Sequence, residues 1–269
     1  MKFASSFYMR SLTLYRALLM VALCGSSGLA EEAAAKLVAG STVTLTFPEM
    51  PPTFYALFEK KEVPAQMTVF LPRNYAPGRK HPLLIFLNGW DGDTAANPGV
   101  ARALTQEQDF ICVSVPLFKK TDPNAPGGFI MNAADARYMW PFFRTMLAKL
   151  DALVPNIDPL HRILGGFSNG AHATQGLVDE SDGEIVRRFS AFLFVEGGGR
   201  MQRYDLLKGK PCLMVSSSEK SRPRAQEICE AAKAAGALAT LVAVDVGKHD
   251  FPASAYPAVR VWLRGPALE

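Results

Sequence analysis

Residues 165–174 read Gly165-Gly166-Phe167-Ser168-Asn169-Gly170-Ala171-His172-Ala173-Thr174, three glycines and a serine between an apolar run and a helix-forming segment. Arg162-Ile163-Leu164-Gly165 reads as a strand, and the residues from Ala171 to Val178 read as a helix. Gly166-Phe167-Ser168-Asn169-Gly170 fits G-x-S-x-G, the turn in which a serine sits on a sharp strand-to-helix corner. Such a corner is tight, so the residues two before and two after the serine must lack bulk, and the serine takes strained dihedrals that expose its hydroxyl. An ordinary Gly-rich turn is the plain alternative, and the strand and helix flanking the motif argue against it.

Outward from this corner the chain alternates apolar runs with helical periodicity. Strands are expected over residues 43–47, 66–71, 82–87, 110–115, 162–165, 191–195, 212–215 and 238–244. Helices are expected over 99–108, 133–153, 169–178, 222–235 and 254–263. Runs such as Leu83-Leu84-Ile85-Phe86-Leu87 suit strands covered on both faces, and their alternation with helices predicts a mostly parallel eight-stranded sheet with helices on both faces. The longest irregular stretch, residues 118–132, is rich in Pro, Gly and Lys, a length that goes with lining a site or with mobility.

A serine nucleophile needs a base. His81 and His161 precede their strands, at the edge away from a site built on the strands' carboxyl ends. His172 lies one helical turn after Ser168 and reads as packing. His249, in Gly247-Lys248-His249-Asp250-Phe251-Pro252 after the last strand, is the expected base. The orienting acid should lie between serine and histidine in sequence and at the end of a strand. Glu219, reached through Ser216-Ser217-Ser218, is the first choice; Glu196, directly after residues 191–195, is the alternative, with Asp245 behind both. Asp250, adjacent to the histidine, reads as solvated. The expected oxyanion donors are the backbone amides of Asn169 and of Trp90 or Asp91, the latter in Asn88-Gly89-Trp90-Asp91-Gly92-Asp93. Asn88, Asp91 and Asp93 also offer hard oxygen ligands, but their spacing matches no calcium loop, so no metal is assigned.

The chain has 269 residues, 49% hydrophobic and 20% charged, enough for one sizeable core. Lys2, Arg10 and Arg16 precede an apolar run at residues 17–23 and the small residues Gly28-Leu29-Ala30, the pattern of a signal peptide over 1–30. A short linker, 31–40, and one domain, 41–269, follow. The apolar run is too short for a comfortable span, so no stable membrane span is expected once the signal is removed. Cys24 also sits in a lipoprotein-like box whose bulky Leu23 argues against lipidation. The formal charge of +4 falls to +1 without the three basic residues of the signal, giving no reason to invoke nucleic acid. Cys112, Cys212 and Cys229 read as small apolar fillers, with a Cys212 to Cys229 disulfide open to an oxidising compartment.

Four stretches resemble secreted hydrolases of the polyhydroxybutyrate depolymerase and feruloyl esterase type, with phospholipase/carboxylesterase-like relatives. They are LPRNY with its basic Pro-Gly turn before HPLLIFLNG, NIDPLHRI, GFSNGA, and GKHDFP. The resemblance implies the α/β-hydrolase fold and a carboxylic ester hydrolase, secreted or periplasmic, acting without metal or organic cofactor on a small-molecule or polymer-linked ester. Two positions depart from the family pattern. Asn88-Gly89 stands for His-Gly, and Ser216-Ser217-Ser218-Glu219 for Gly-x-x-Asp. A serine peptidase of the same fold and an inactive binding protein are the competing expectations.

Overall fold

The computed structural model describes residues 37–92, 97–199 and 201–268. The expected signal peptide, Cys24, most of the expected linker and Asp93 fall outside them.

Eight strands form one sheet: β1 (Thr42–Phe47), β2 (Ala65–Phe70), β3 (His81–Leu87), β4 (Ile111–Ser114), β5 (Ile157–Phe167), β6 (Ala191–Val195), β7 (Pro211–Ser216) and β8 (Leu238–Ala243). Their order is β1-β2-β4-β3-β5-β6-β7-β8. β2 runs antiparallel to both β1 and β4, and all other pairs are parallel. Among the described residues seven α-helices accompany them: α1 (Phe54–Glu59), α2 (Gly99–Thr105), α3 (Ala133–Leu153), α4 (Asn169–Glu180), α5 (Glu184–Arg188), α6 (Arg222–Ala234) and α7 (Tyr256–Arg264).

The strand pleat divides the apolar side chains between two layers. Leu83, Ile85 and Leu87 face Met139, Phe143 and Met146 of α3, in a layer that also takes residues of α4, α5 and α6. Leu84 and Phe86 face the other way, toward Leu104 of α2 and Val259 and Trp262 of α7. All five residues of β6 are buried, whereas the edge strands β1 and β8 alternate in exposure, as strands with one uncovered side do.

Two short helices escape the sequence pattern. α1 spans six residues, capped by the Thr53 side chain, and α5 only five; neither is long enough to show a period. β5 starts at Ile157 and not near residue 162, because its polar first half still pairs with the start of β3 through His81 and Ile157 before the register shifts. Cys112, Cys212 and Cys229 are free and buried, so the Cys212 to Cys229 disulfide is not formed. Burial pushes the Cys212 thiol up to about 12. Among the described residues no helix is long and apolar enough to cross a membrane.

Candidate active site

The sheet order brings the carboxyl ends of β5, β6, β7 and β8 side by side, and the site is assembled across those four ends. Ser168 follows β5 with φ 52° and ψ −117°, and its amide continues the ladder to the Val195 carbonyl at 2.8 Å. A Cβ on Gly166 would collide with the Gly170 backbone, and one on Gly170 with the carbonyl of Leu87, so both positions exclude a side chain. Asn169 opens α4, whose first amides have no carbonyl one turn earlier to bond.

His249 lies beyond β8, in the segment between Val244 and η-turn residues 253–255, and reaches back over β7. Its Nε2 is 2.8 Å from Ser168 Oγ and its Nδ1 is 3.0 Å from Glu196 Oε2. These distances fit a tautomer in which Nδ1–H donates to the carboxylate and Nε2 accepts from the serine hydroxyl. The imidazole stacks on the Phe167 ring, 5.2 Å between centroids, and stays half-exposed.

The carboxylate on His249 is Glu196, with a fully buried side chain, and not Glu219. Glu196 sits directly after β6 with φ 48°, and its amide bonds the Val215 carbonyl at 2.9 Å. Its Oε1 accepts from the Ser217 amide and from Ser221 Oγ, the latter at 2.5 Å. Glu219 is exposed; with Lys220 and Lys248 it borders a cleft of about 650 Å³ that Glu196 and His249 also line. The reason is the serine run: Ser217 and Ser218 are both buried at the end of β7, and chain emerges into solvent only at Glu219. Asp245 instead accepts from the Gly247 amide, and Asp250 pairs with Lys248 at 3.0 Å.

The remaining histidines lie elsewhere. His81 is buried at the start of β3, with Nδ1 bonded to the Asp109 carbonyl and Nε2 accepting from the Ala76 amide. His161 pairs with Asp158 at 2.7 Å. Burial, and then the charges of Arg224 and His249, push the His172 imidazole below its ordinary value.

Opposite the histidine, Gly89 to Gly92 form a turn closed by Gly92 N–H to the Gly89 carbonyl at 2.9 Å, with Trp90 at φ 55° and Asp91 buried. The Asn169 side chain ties this turn to the serine corner. Its Nδ2 donates to the Trp90 carbonyl at 2.7 Å and to the Phe129 carbonyl at 3.2 Å, while its Oδ1 accepts from the Met131 amide. Sequence reasoning assigned Asn169 only a backbone amide; the side chain's role depends on two segments far away in the chain. Trp90 is 62% exposed and leans on Phe129, with ring centroids 4.7 Å apart, and Phe129 packs edge-on against Phe58.

Residues 118–132 are held in place by a buried pair. Lys119 Nζ lies 2.6 Å from Asp135 Oδ2, both side chains fully buried, and Asp135 Oδ1 also accepts from the amides of Lys120 and Thr121. Burial by itself would raise the Asp135 carboxyl; the bonds from Lys119 and from the Thr121 amide outweigh it and hold the group below its ordinary value. Among the described residues no group of His, Cys, Asp or Glu could hold a metal ion.

No family model and no curated protein matches the chain. Solved structures do. A ferulic acid esterase is 16% identical with a TM-score of 0.57, over 86% of this chain and 98% of its own. A thermostable carboxylesterase from a metagenomic library is 14% identical with a TM-score of 0.55, over 90% and 93%. An esterase from Pyrobaculum calidifontis is 14% identical with a TM-score of 0.56, over 91% of each chain. Together with the strand order this likeness settles the architecture: the chain has the α/β-hydrolase fold.

Proposed function

We propose that the protein hydrolyses carboxylic esters with Ser168 as nucleophile, His249 as general base and then acid, and Glu196 as the residue that orients His249. The observation that carries this reading is the unbroken series from Ser168 Oγ through both nitrogens of His249 to Glu196 Oε2. In acylation, Oγ attacks the ester carbonyl as its proton passes to His249 Nε2. The tetrahedral intermediate then expels the alcohol, which takes that proton. Water, activated by His249 in turn, releases the acid and restores the serine. Glu196 remains ionised and stabilises the transient imidazolium.

The oxyanion would be met by the Asn169 amide and by that of Trp90 or Asp91, each donor contributing about 3 kcal/mol of transition-state stabilisation. The fold likeness to esterases supports this chemistry, as does the corner that holds Ser168 at φ 52°. Trp90, Phe58 and Phe129 offer an apolar flank for the substrate beside the oxyanion turn. The basic, apolar and small-residue pattern of residues 1–30 supports a secreted or periplasmic working place for a domain spanning 41–269.

Labelling by a fluorophosphonate probe, with hydrolysis of short-chain p-nitrophenyl esters measured alongside, tests the reading. The protein is expected to label and to turn over ester, and Ser168→Ala to do neither. A wild-type protein that resists the probe would overturn the nucleophile assignment and favour an inactive, binding role.

A further inference from the structure

β7 ends where relatives of this type are expected to carry the orienting acid, and this chain places serines there. One of them bonds to the histidine's carboxylate partner and to both of the histidine's neighbours in the chain. The Ser217 amide donates to Glu196 Oε1. The hydroxyl of the same residue donates to the Lys248 carbonyl at 2.9 Å and accepts from the Asp250 amide at 3.2 Å. A single fully buried residue therefore holds the carboxylate with its backbone and, with its side chain, grips the chain immediately before and immediately after His249. The Val246 amide adds a bond to the Ser217 carbonyl at 2.9 Å, so every polar atom of Ser217 is used on the acid or on the histidine segment.

That segment needs such a grip. Gly247 and Lys248 are exposed, Gly247 has φ 69°, and among the described residues the Lys248 amide has no acceptor. The His249 side chain is itself half-exposed and stacks on a single ring, so apolar packing alone does not fix its direction. Ser221, which donates to the same Glu196 oxygen, is in turn bonded to the Ser216 and Ser218 hydroxyls, and this fixes the carboxylate from the other side.

We infer that Ser217 is a positioning residue for the reaction proposed above, a clasp that sets the acid and the base relative to each other and so to Ser168. The inference rests on that reading for its kinetic consequence and on hydrogen-bond geometry alone for its structural one. It implies a loss confined to turnover. Misplacing a catalytic group by about 1 Å costs up to about 100-fold, and the surfaces that bind substrate are untouched by removal of this hydroxyl.

Two measurements on the full-length protein test it. In the wild type, hydrogen exchange of the Asp250 amide is expected to be slow and that of the Lys248 amide fast; equally fast exchange at both would overturn the clasp without any variant. In Ser217→Ala, with the thermal midpoint recorded to establish folding, kcat is expected to fall about 10- to 100-fold with KM within about twofold. Phosphonate labelling should slow in parallel, and the His249 Nδ1–H proton resonance should broaden or vanish. A variant with wild-type kcat and an unchanged resonance sinks the inference. Were the wild-type protein inert to ester and probe, the esterase reading would fall; the exchange pattern and the resonance would still decide the clasp.

Discussion

Ser168, Glu196 and Trp90 all have positive φ, at 52°, 48° and 55°, and all three sit where a strand stops and the site begins. Each such conformation in a residue with a side chain costs about 1–3 kcal/mol and persists only where the surroundings fix it. Here the surroundings are visible: the Ser168 and Glu196 amides extend sheet ladders, and the Trp90 carbonyl is bonded by Asn169. At Glu196 the turn directs the carboxylate under His249, where Ser217 and Ser221 bond its other oxygen. Glu196→Gln replaces an ionised acceptor with an amide that no longer stabilises the imidazolium and can favour the wrong tautomer. We expect p-nitrophenyl ester kcat to fall about 100- to 10,000-fold in this variant, and to stay within about twofold in Glu219→Gln. The reverse ranking would return the acid to Glu219.

Elements matter next, because the site's second wall is made of loops. The turn after β3 and residues 118–132 meet on one side chain, Asn169, at the start of α4. Asn169→Ala keeps the backbone amide and removes these three bonds, so the expected outcome is a folded protein whose kcat/KM drops about 10- to 100-fold. Undiminished kcat/KM would show that the turn holds its place unaided. The longer loop has its own anchor in Lys119 and Asp135 at the start of α3, where Asp135 also completes a capping box with Asn132. Removing one partner of a fully buried pair leaves the other charge uncompensated, so Asp135→Asn is expected to destabilise by about 3–5 kcal/mol, read by denaturant unfolding at neutral pH. The sign with pH follows from the depressed Asp135 carboxyl. Its contribution is full above the unfolded carboxylate value, about 3.9, and is lost as pH falls through the lower folded value. The gap between wild type and Asp135→Asn should therefore narrow below about pH 4; a gap constant with pH would refute the ionic role.

On the scale of the whole molecule, two apolar layers enclose the sheet, and the three described cysteines lie within them as free thiols. Stability should then come from packing, and the thermal midpoint is expected to be the same with and without dithiothreitol. A drop on reduction would reveal a disulfide linking the chain. The two layers were already legible from Leu83-Leu84-Ile85-Phe86-Leu87, since an uninterrupted apolar run has apolar side chains for both faces. Strand and helix positions followed closely wherever a run exceeded about one period, as in α3, expected and found at residues 133–153. They did not follow for α1 and α5, whose five or six residues contain too little pattern.

The corner at Ser168, the histidine after the last strand and the alternating architecture are all legible from local sequence, because each depends on residues near one another in the chain. The sequence narrowed the acid to carboxylates at strand ends and ranked Glu219 ahead of Glu196. Choosing among them is a question of distance across the sheet: β6 lies between β5 and β7, so the end of β6 is where a histidine leaning back from β8 over Ser217 meets a carboxylate close to Ser168. That Glu196 and not Glu219 meets His249, and that buried serines fill the end of β7, shows only in the folded chain. The clasp and the Asn169 tie join segments between 21 and 79 residues apart in the chain, and no local propensity records such a pairing.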